Sequence, residues 1–449
     1  MARGLRPAGA NSGRGVAVTL EARALPTPPP LCVDLEGTLI LGDSLFESLM
    51  LLIKQSPLFI LRIPLWLLRG TANLKAEVGA RIELDPAALA YNRALLDWLE
   101  SERRTGRSLW LCTAANEQFA SRVAAHLGLF DGVLASDAPV KRFGEGGFDY
   151  CPEFPDQSTK LRAMTRALRP HQWAKNVLLL VPLLAAHHVG EPGALAAAIL
   201  AMLAFCLCAS SVYVLNDLLD LQADRLHPRK SKRPFAAGEL SIVSGLLLSA
   251  VLLAATVVVA LFLPAKFCLV LAAYYIVTSA YSLFLKRFLL VDALALAGLY
   301  TLRIIAGAAA VVVELSFWLL LFSIFLFLSL AFVKRFAELE ALRRQQRLRA
   351  AGRGYLVEDL PVLQSLGIAS GYLSVLVLAL YINSPAIEAL YHRPKAVWML
   401  CVLLLYWISR VWMTAQRGNM HDDPVVFALK DRQSLAIGVC AAVTLALAI

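Results

Sequence analysis

Charged residues are scarce in this 449-residue chain. Asp, Glu, Lys and Arg make up 17% of it, whereas they form about a quarter of an ordinary soluble domain. Apolar residues reach 58%, and the mean hydropathy is +0.63. So many apolar side chains exceed what a globular core can bury, and they require a lipid phase. The composition therefore excludes an ordinary cytosolic enzyme and a disordered protein.

Two sequence features of secreted and zinc-binding proteins are also missing. The first 30 residues contain no apolar run of the signal-peptide type, and the eight cysteines include no CxxC pair. Most of the cysteines lie in apolar runs or in a predicted strand, where a thiol behaves as a small hydrophobic group. We therefore expect reduced cysteines, and a disulfide-rich secreted domain is excluded.

The net charge of +10 arises from 43 Lys and Arg against 33 Asp and Glu. In a soluble protein this excess could indicate nucleic-acid binding. In a membrane protein it is more typical of cytoplasmic loops. We therefore expect the membrane as a partner and no nucleic acid.

Composition divides the chain into three parts. Residues 1–30 are rich in Gly, Pro, Ala and Arg and are predicted to form a disordered leader. Residues 31–160 alternate charges with short apolar runs, as an α/β domain does. Residues 165–449 predict an all-α polytopic bundle, because about 20 apolar residues are needed for each span. About nine spans are predicted, at residues 173–189, 194–215, 240–262, 266–285, 288–312, 315–333, 361–382, 395–414 and 431–449.

Basic residues concentrate in every second loop between these spans. The loops after the second, fourth, sixth and eighth spans carry most of the Lys and Arg, whereas the others offer only Lys266, Arg393 and Lys395. This bias predicts a multi-pass protein of the bacterial plasma membrane with the basic loops and the N-terminal domain in the cytoplasm.

The stretch from Ser44 to Gly70 is apolar too, but Glu47, Lys54 and Arg62 interrupt it. Charges at this spacing are costly in hydrocarbon. We expect amphipathic helices that lie on the membrane or cap the soluble domain, and no span.

Three aspartates follow the second predicted span in the segment NDLLDLQAD, residues 216–224. A continued helix would place Asp217, Asp220 and Asp224 on one face. Three stacked carboxylates repel each other unless a cation lies among them. Mg²⁺ is the natural candidate because it combines carboxylates with substrate phosphates. Asn216 could add a neutral ligand or orient the others.

Basic residues directly follow this acidic cluster. Arg225, Lys230 and Arg233 supply cations suited to phosphate. The alternative interpretation is a solvated acidic loop that helps to set the topology. The neighbouring cations favour a site for a metal and a phosphate group.

Further polar residues are predicted at the same membrane face. The candidates are Lys175, Asn176, Tyr281, Lys286, Asp292, Arg303, Lys334 and Arg335. Arg303 would lie deep in the bundle, where it would hold an anion or pair structurally with a carboxylate. For Lys334 and Arg335 the alternative is snorkelling to the interface. The segment HDDPVVFALKDR, residues 421–432, brings Asp423 and other charges to the entrance of the last span, for ligand contact or for anchoring the helix.

Together these motifs resemble the UbiA superfamily of intramembrane prenyltransferases over residues 165–449. Within it the decaprenyl-phosphate phosphoribosyltransferase branch is most similar. The similarity rests on RPHQWAKN (169–176), NDLLDLQADRLHPRKSKRP (216–234), YSLFLKR (281–287), LRIIAG (302–307), FVKRFAEL (332–339) and ALKDR (428–432). Asp292 stands alone where aromatic prenyltransferases carry a second pair of acids.

The resemblance implies nine spans and an Asp-rich motif that binds a substrate diphosphate through Mg²⁺. It also implies transfer of 5-phosphoribose from phosphoribosyl diphosphate to a polyprenyl phosphate at the cytoplasmic face. Asp217, Asp220, Asp224, Lys286, Asp292 and Arg303 would then be catalytic. The substrate-binding residues would be Lys175, Asn176, Arg225, Lys230, Arg233, Tyr281, Lys334 and Arg335.

Two other functions compete with this one. A prenyl diphosphate:aromatic acceptor transferase would use the same aspartates to ionise an allylic diphosphate. A transporter or flippase would be expected to carry ionisable residues near the bilayer midplane and to consist of repeated halves. In this sequence the acidic residues cluster at one membrane face.

The N-terminal segment LCVDLEGTL (31–39) resembles the first motif of the haloacid dehalogenase (HAD) superfamily. The resemblance makes Asp34 a nucleophile, Glu36 a departure from the usual Asp, and Thr113 a phosphate ligand at the end of a second strand. Lys141, Glu153 and Asp156 match the remaining motifs poorly. We therefore expect little or no phosphatase activity. The alternatives are an active phosphatase and a regulatory or oligomerising module, which would make a homo-oligomer.

Overall fold

The computed structural model describes residues 29–135, 149–151, 160–346, 353–388, 391–420 and 423–448. The chain forms two compact units. The first combines Met1–Leu39 with Arg93–Phe154, and the second combines Ile40–Asn92 with Pro155–Ile449. Residues 40–92 thus group with the membrane helices, whereas the sequence predicted them as part of one domain over 31–160. The predicted leader lies outside the described residues except for its last two.

The first unit is built on a parallel sheet of four strands, β1 (Leu31–Asp34), β2 (Leu109–Cys112), β3 (Gly132–Leu134) and β4 (Asp149–Tyr150), in the order β3-β2-β1-β4. Leu31 of β1 pairs with Leu109 of β2, and β1 also pairs with β4. Two helices accompany the sheet, and Asn116 caps the second of them through its side chain. The elements of this unit are β1 (Leu31–Asp34), α4 (Arg93–Arg104), β2 (Leu109–Cys112), α5 (Glu117–Leu127), β3 (Gly132–Leu134) and β4 (Asp149–Tyr150).

Cys32 and Cys112 form a disulfide between β1 and β2. The expectation that all cysteines are reduced is wrong for this pair. The two cysteines lie on neighbouring strands but not in register, since Cys32 opposes Trp110 and Cys112 opposes Asp34. Their Cα atoms are nevertheless 6.0 Å apart, within the range of a disulfide, and this proximity has no signal in the sequence. Cys206, Cys208, Cys268, Cys401 and Cys440 of the described chain are not disulfide-bonded.

Residues 40–92 form a helical segment of the second unit. Asp43 caps α1 by accepting hydrogen bonds from the N–H groups of Leu45 and Phe46 at 2.9 and 3.2 Å. The segment contains α1 (Ser44–Gln55), a 3₁₀ helix (Pro57–Leu61), α2 (Ile63–Leu68), α3 (Thr71–Gly79) and a 3₁₀ turn (Pro86–Ala88).

The stretch Pro57–Leu68 exposes large apolar side chains, among them Leu58 (75%), Leu61 (73%) and Leu68 (84%). Apolar surface of this kind, flanked by Arg62 and Arg69, is typical of a helix lying at a membrane surface. We expect a lipid-borne photoreactive carbene to label this stretch in proteoliposomes. Labelling of the amphipathic α4 serves as the water-exposed comparison. Equal labelling of the two peptides would contradict a lipid contact at Pro57–Leu68.

The bundle of the second unit contains long apolar helices. Seven described helices are long and apolar enough to cross a membrane, and a bent pair raises the number to eight. The helices are α6 (Lys160–Ala167), α7 (Val181–Ala185), α8 (Pro192–Leu219), α9 (Leu221–Arg225), α10 (Ile242–Ala260), α11 (Ala265–Leu283), α12 (Val291–Val311), α13 (Phe317–Arg344), α14 (Leu360–Ile382), α15 (Pro385–Glu388), α16 (Trp398–Gln416), α17 (Pro424–Lys430) and α18 (Arg432–Ala448).

The prediction of about nine spans exceeds the seven or eight found among the described residues. The predicted first span, 173–189, is instead a 3₁₀ helix, Pro170–Leu180, followed by the short α7. The predicted last span, 431–449, corresponds to α18, which meets α17 at a bend of 80°. Apolar composition alone indicates that a stretch can enter lipid, but it does not show that its backbone forms one straight helix.

Close packing fixes the position of the 3₁₀ segment in the bundle. A Cβ atom on Gly307 of α12 would lie 2.1 Å from the carbonyl oxygen of Leu179. Only glycine permits this approach without a backbone shift. The glycine of the LRIIAG motif therefore brings α12 against the segment that carries Lys175 and Asn176.

Candidate active site

The Asp-rich segment, residues 216–224, has two carboxylates that contact the same guanidinium group. Asp217 and Asp224 are each 2% exposed. The Nη1 atom of Arg233 lies 3.1 Å from Asp217 Oδ1 and 2.5 Å from Asp224 Oδ2. Arg169 also contacts Asp217, and Lys230 Nζ is 3.9 Å from Asp224. These two aspartates thus face one cationic position.

Asp220 contacts different partners. Its carboxylate lies 2.7 Å from Lys54 Nζ and 3.4 Å from Lys286 Nζ. The reason is local, because α8 ends at Leu219, α9 begins at Leu221, and Asp220 adopts φ −99° and ψ 12° between them. The expectation of one smooth helix with three carboxylates on a common face therefore does not hold.

The lysine contacts also set the charge state of Asp220. Burial alone would raise its pKa, but Lys286 and Lys54 bring the pKa below the usual value. Asp220 is therefore a stable anion with two ammonium groups beside it.

Two of the acidic residues are placed to hold a metal ion together. No group of three Asp, Glu, His or Cys side chains gathers around one point in the described part of the chain. Asp217 and Asp224 nevertheless both contact the same nitrogen of Arg233. Their hard oxygen ligands suit Mg²⁺, and the guanidinium stands in for a cation between them. This pair fits a divalent metal, and the half-buried Asn216 occupies the last turn of α8.

Asp292 is the centre of a second, buried cluster. Its carboxylate lies 2.5 Å from Arg335 Nε and 3.2 Å from Arg353 Nη1, and it accepts a 2.8 Å hydrogen bond from the Tyr281 hydroxyl. Glu338 contacts both arginines, at 3.1 Å from Arg353 Nε. Arg335 is 1% exposed, so the snorkelling alternative is wrong for it.

A third cluster surrounds Asp423. Its Oδ2 accepts hydrogen bonds from Lys175 and Lys334, both at 2.9 Å, and its Oδ1 accepts one from the Tyr300 hydroxyl at 2.9 Å. Burial alone would raise the pKa of Asp423, but the two ammonium groups hold the pKa far below its usual value. Lys334 is therefore a member of an interior ion-pair network.

Arg303 is buried, as predicted for its depth. Its guanidinium donates to Asn176 Oδ1 at 3.0 Å, to the Tyr274 hydroxyl at 2.9 Å and to the Leu299 carbonyl at 2.6 Å. It also lies over the ring of Tyr300, 5.4 Å from the centroid. Among the described residues, the hydrogen-bond partners of Arg303 are all neutral, which favours the interpretation as an anion-binding residue over a structural ion pair.

Arg225 is turned away from the acidic cluster. Its two Nη atoms each lie 2.8 Å from an oxygen of Glu47, and Nη1 donates to the Ala88 carbonyl at 2.9 Å. The role predicted for Arg225 as a substrate-binding cation is therefore not supported by its contacts. Its bidentate partner lies in the helical segment 40–92.

His227 has a structural role in the loop after α9. Its Nδ1 atom accepts hydrogen bonds from the N–H groups of Arg229 and Lys230 at 3.1 and 3.3 Å. Burial and the neighbouring charge of Lys230 lower its pKa. The neutral ring therefore stabilises the loop by accepting from the backbone.

The candidate HAD residues lie at the carboxyl edge of the sheet in the first unit. Asp34 pairs in register with Cys112, the residue before Thr113. Burial and, more weakly, the charge of Glu36 raise the pKa of Asp34, against hydrogen bonds from its own loop. Thr113 Oγ1 accepts a 3.0 Å hydrogen bond from the Ala115 N–H. Lys141, Glu153 and Asp156 lie outside the described residues.

Several residues of these clusters were not predicted as site residues from the sequence. Lys54 and Glu47 counted only as interruptions of an apolar run, and Arg353 counted only as a basic loop residue. A charged residue inside an apolar stretch is the signal that could have identified the first two. The aromatic partners Tyr274 and Tyr300 left no such signal, because aromatics are common in apolar helices.

An apolar cavity of about 680 Å³ lies in the half of the bundle away from these polar clusters. Its walls come from α7, the α12–α13 junction, α14, α16 and α18, with Trp318, Phe322, Leu404 and Trp407 among the lining residues. The polar clusters lie at the other ends of these helices, near the start of α12 and the end of α13. The bundle therefore combines a charged end with an apolar interior.

Comparison with known proteins identifies this arrangement. A sequence model described as the UbiA prenyltransferase family matches residues 177–433, more than half of the chain. The chain belongs to the UbiA prenyltransferase family. It is therefore an integral membrane protein of a transferase family, and the superfamily predicted from the sequence motifs is confirmed.

Relatives of this UbiA family chain include proteins with and without a stated activity. Protein y4nM of Sinorhizobium fredii is 34% identical over 91% of this chain and 89% of its own length. Nodulation protein NoeC of Azorhizobium caulinodans is 36% identical over 62% of this chain and 91% of its own length. The decaprenyl-phosphate phosphoribosyltransferase of Mycolicibacterium smegmatis is 38% identical over 40% of this chain and 58% of its own length.

Solved structures of a UbiA homolog from Archaeoglobus fulgidus resemble the bundle. The one bound to GPP and Mg²⁺ has 18% sequence identity and a TM-score of 0.49, and it covers 63% of this chain and 97% of its own.

Proposed function

We propose that the chain transfers 5-phosphoribose from phosphoribosyl diphosphate to a polyprenyl phosphate, in a Mg²⁺-dependent reaction that releases diphosphate. The observation that carries the proposal is the excess of positive charge at the polar end of the bundle. Apart from the mutually paired Glu47 and Arg225, the acidic side chains that the described residues place in these clusters are Asp217, Asp220, Asp224, Asp292, Glu338 and Asp423. They are outnumbered by Lys54, Arg169, Lys175, Lys230, Arg233, Lys286, Arg303, Lys334, Arg335 and Arg353. Such an excess suits two substrates that both carry phosphate groups.

The similarity to decaprenyl-phosphate phosphoribosyltransferases supports this donor and acceptor. The matched stretch amounts to 58% of the M. smegmatis protein, so it includes part of that enzyme only. The proposal also places the protein in the bacterial plasma membrane, with the polar end and the N-terminal unit in the cytoplasm. The distribution of basic loops supports this orientation.

The chemistry requires charge stabilisation and no strong base. Bound between Asp217 and Asp224, Mg²⁺ would neutralise charge on the leaving diphosphate. The bond between the anomeric carbon and the diphosphate oxygen breaks, and the diphosphate leaves with the electron pair. An oxygen of the lipid phosphate forms the new bond. Because this phosphate is already anionic, basic residues need only hold it in place.

Arg303 is suited to bind the lipid phosphate. Its partners Asn176 and Tyr274 are neutral, so its positive charge remains available to an anion. The apolar cavity beyond it supports a polyprenyl acceptor, because a long hydrocarbon chain needs such a lining. The soluble donor would reach the polar end from water, and the lipid would enter from the bilayer.

A direct assay tests the donor. Membranes that contain the protein are incubated with Mg²⁺, radiolabelled phosphoribosyl diphosphate and decaprenyl phosphate. We expect label in the organic-extractable lipid, and we expect EDTA to abolish it. The competing prenyl diphosphate:aromatic acceptor reaction is assayed in parallel with geranyl diphosphate and 4-hydroxybenzoate. Prenylated acceptor together with unlabelled lipid would contradict the proposal and favour that alternative.

For the N-terminal unit we propose a HAD-like domain with little or no phosphatase activity. Support comes from Asp34 and Thr113, which follow neighbouring strands of a parallel sheet. In full-length protein with Asp217→Asn, phosphate release from lipid-linked phosphoribose 5-phosphate should be absent. Release that disappears on adding Asp34→Asn would show an active phosphatase instead.

A further inference from the structure

We propose that the helical segment 40–92 is part of the transferase site and that Lys54 of α1 is a binding residue for the diphosphate group of the donor. The segment lies outside the stretch 177–433 that matches the UbiA family. The inference rests on the proposed function, because it extends the same phosphate site. It adds a cation from a part of the chain that is remote in sequence from the bundle.

The first observation is the contact between Lys54 and the Asp-rich segment. Lys54 Nζ lies 2.7 Å from Asp220 Oδ1, and Lys286 Nζ lies 3.4 Å from Asp220 Oδ2. Two ammonium groups on one carboxylate leave a positive charge in excess. An incoming diphosphate can take up this excess without a large rearrangement.

The second observation is a buried ion pair that holds α1 in this position. Glu47 and Arg225 form a bidentate pair at 2.8 Å, with side chains that are 3% and 8% exposed. A desolvated pair of this geometry requires both partners to remain in place. Arg225 is only five residues beyond Asp220, so this pair holds α1 next to the Asp-rich segment.

The helical period connects the two contacts. Glu47 and Lys54 are seven residues apart in α1, so about two turns separate them and they project from the same side. One face of α1 thus places the carboxylate of Glu47 against Arg225 and the ammonium group of Lys54 against Asp220. An apolar helix that only covered the bundle would not need this pair of charges.

The third observation is an open space beside the contact. A cavity of about 230 Å³ lies between α1 and the Asp-rich segment, and Glu47, Lys54, Asp85 and Gln222 supply polar side chains to its wall. A water molecule takes up about 30 Å³, so the cavity can hold a group the size of a phosphate. Because Glu47 and Asp85 are carboxylates and the three aspartates of the Asp-rich segment are not among the lining residues, the cavity itself does not suit an anion. It instead gives the Lys54 side chain room to turn towards an anion bound at the Asp-rich segment while the helix stays docked.

Binding of inorganic diphosphate to the purified full-length protein tests the inference. The probe is inorganic diphosphate with Mg²⁺, titrated by calorimetry into protein in lipid nanodiscs. We expect Lys54→Gln to weaken the apparent Kd about 10-fold, the loss of one charged contact, and Lys54→Arg to retain most of the affinity. The matched control is Lys75→Gln, on the exposed surface of α3 in the same segment.

The outcomes separate the two proposals. Unchanged diphosphate affinity in a folded Lys54→Gln variant would overturn the role of Lys54 and leave the proposed function standing. A wild-type protein that binds no diphosphate in the presence of Mg²⁺ would count against the proposed function itself.

A measurement on the wild-type protein covers the case in which Lys54→Gln does not fold. Amine acylation followed by mass spectrometry compares Lys54 with Lys75. We expect Mg²⁺ and diphosphate to slow the acylation of Lys54 several-fold and to leave Lys75 unaffected. A Lys54 rate that does not change would overturn the inference.

Discussion

Asp217→Asn should abolish turnover while the protein remains folded in the membrane. Asp217 is buried and contacts Arg169 and Arg233, and in the proposed reaction it holds the metal that neutralises the leaving diphosphate. Loss of one ligand charge at such a site typically lowers the rate by about 100-fold or more. The measurement is the transfer of label from phosphoribosyl diphosphate to lipid, in membranes that contain equal amounts of each variant.

The control for this variant makes the same chemical change elsewhere. Asp97→Asn alters an exposed carboxylate of α4 and should leave turnover at the wild-type level. Full activity of Asp217→Asn would exclude the Asp-rich segment as the metal site. Loss of activity accompanied by loss of the protein from the membrane would indicate a folding defect instead.

Asp292→Asn should destabilise the fold more than any other conservative change in the polar end. Asp292 is 0% exposed, and its negative charge balances the positive charges of Arg335 and Arg353. Removing its charge leaves two arginines with only Glu338 between them. Breaking a buried ion pair in this way costs about 3–5 kcal/mol. We expect a lower melting temperature of the protein in detergent, measured by differential scanning fluorimetry.

Glu338→Gln provides the matched comparison. The Glu338 side chain is 38% exposed and contacts the same two arginines. Water can therefore replace part of the interaction that the arginines lose with the carboxylate. We expect a clearly smaller fall in melting temperature. Equal falls for the two variants would show that burial of Asp292 does not decide the stability of this cluster.

Local patterns in the sequence were sufficient to predict the membrane class and the family. Helix α8 and the aspartates after it could be located, because a long apolar run followed by a dense group of charges is a one-dimensional signal. The buried position of Arg303 followed from its depth in an apolar helix. Its neutral partners Asn176 and Tyr274 did not, because they come from two other elements.

Where sequence reasoning failed, backbone geometry or distant contacts decided the result. Asp220, between α8 and α9, contacts Lys54 and Lys286, whereas Asp217 and Asp224 share Arg233, although a regular spacing suggested one common site. The 3₁₀ helix Pro170–Leu180 replaced a predicted span. Neither departure has a signature in hydropathy, since apolar residues enter lipid in either backbone form.

The amino-acid sequence is enough to predict that this protein enters the membrane, which family it resembles and which end of the bundle carries the charge. Hydropathy and the clustering of charge are properties of short stretches of chain, so no knowledge of the fold is needed to find them. Which charges meet depends on the three-dimensional fold. The contact of Lys54 with Asp220 joins residues 166 positions apart, and that of Lys175 with Asp423 joins residues 248 apart. Such pairs depend on how the helices pack, and packing is a property of the whole fold.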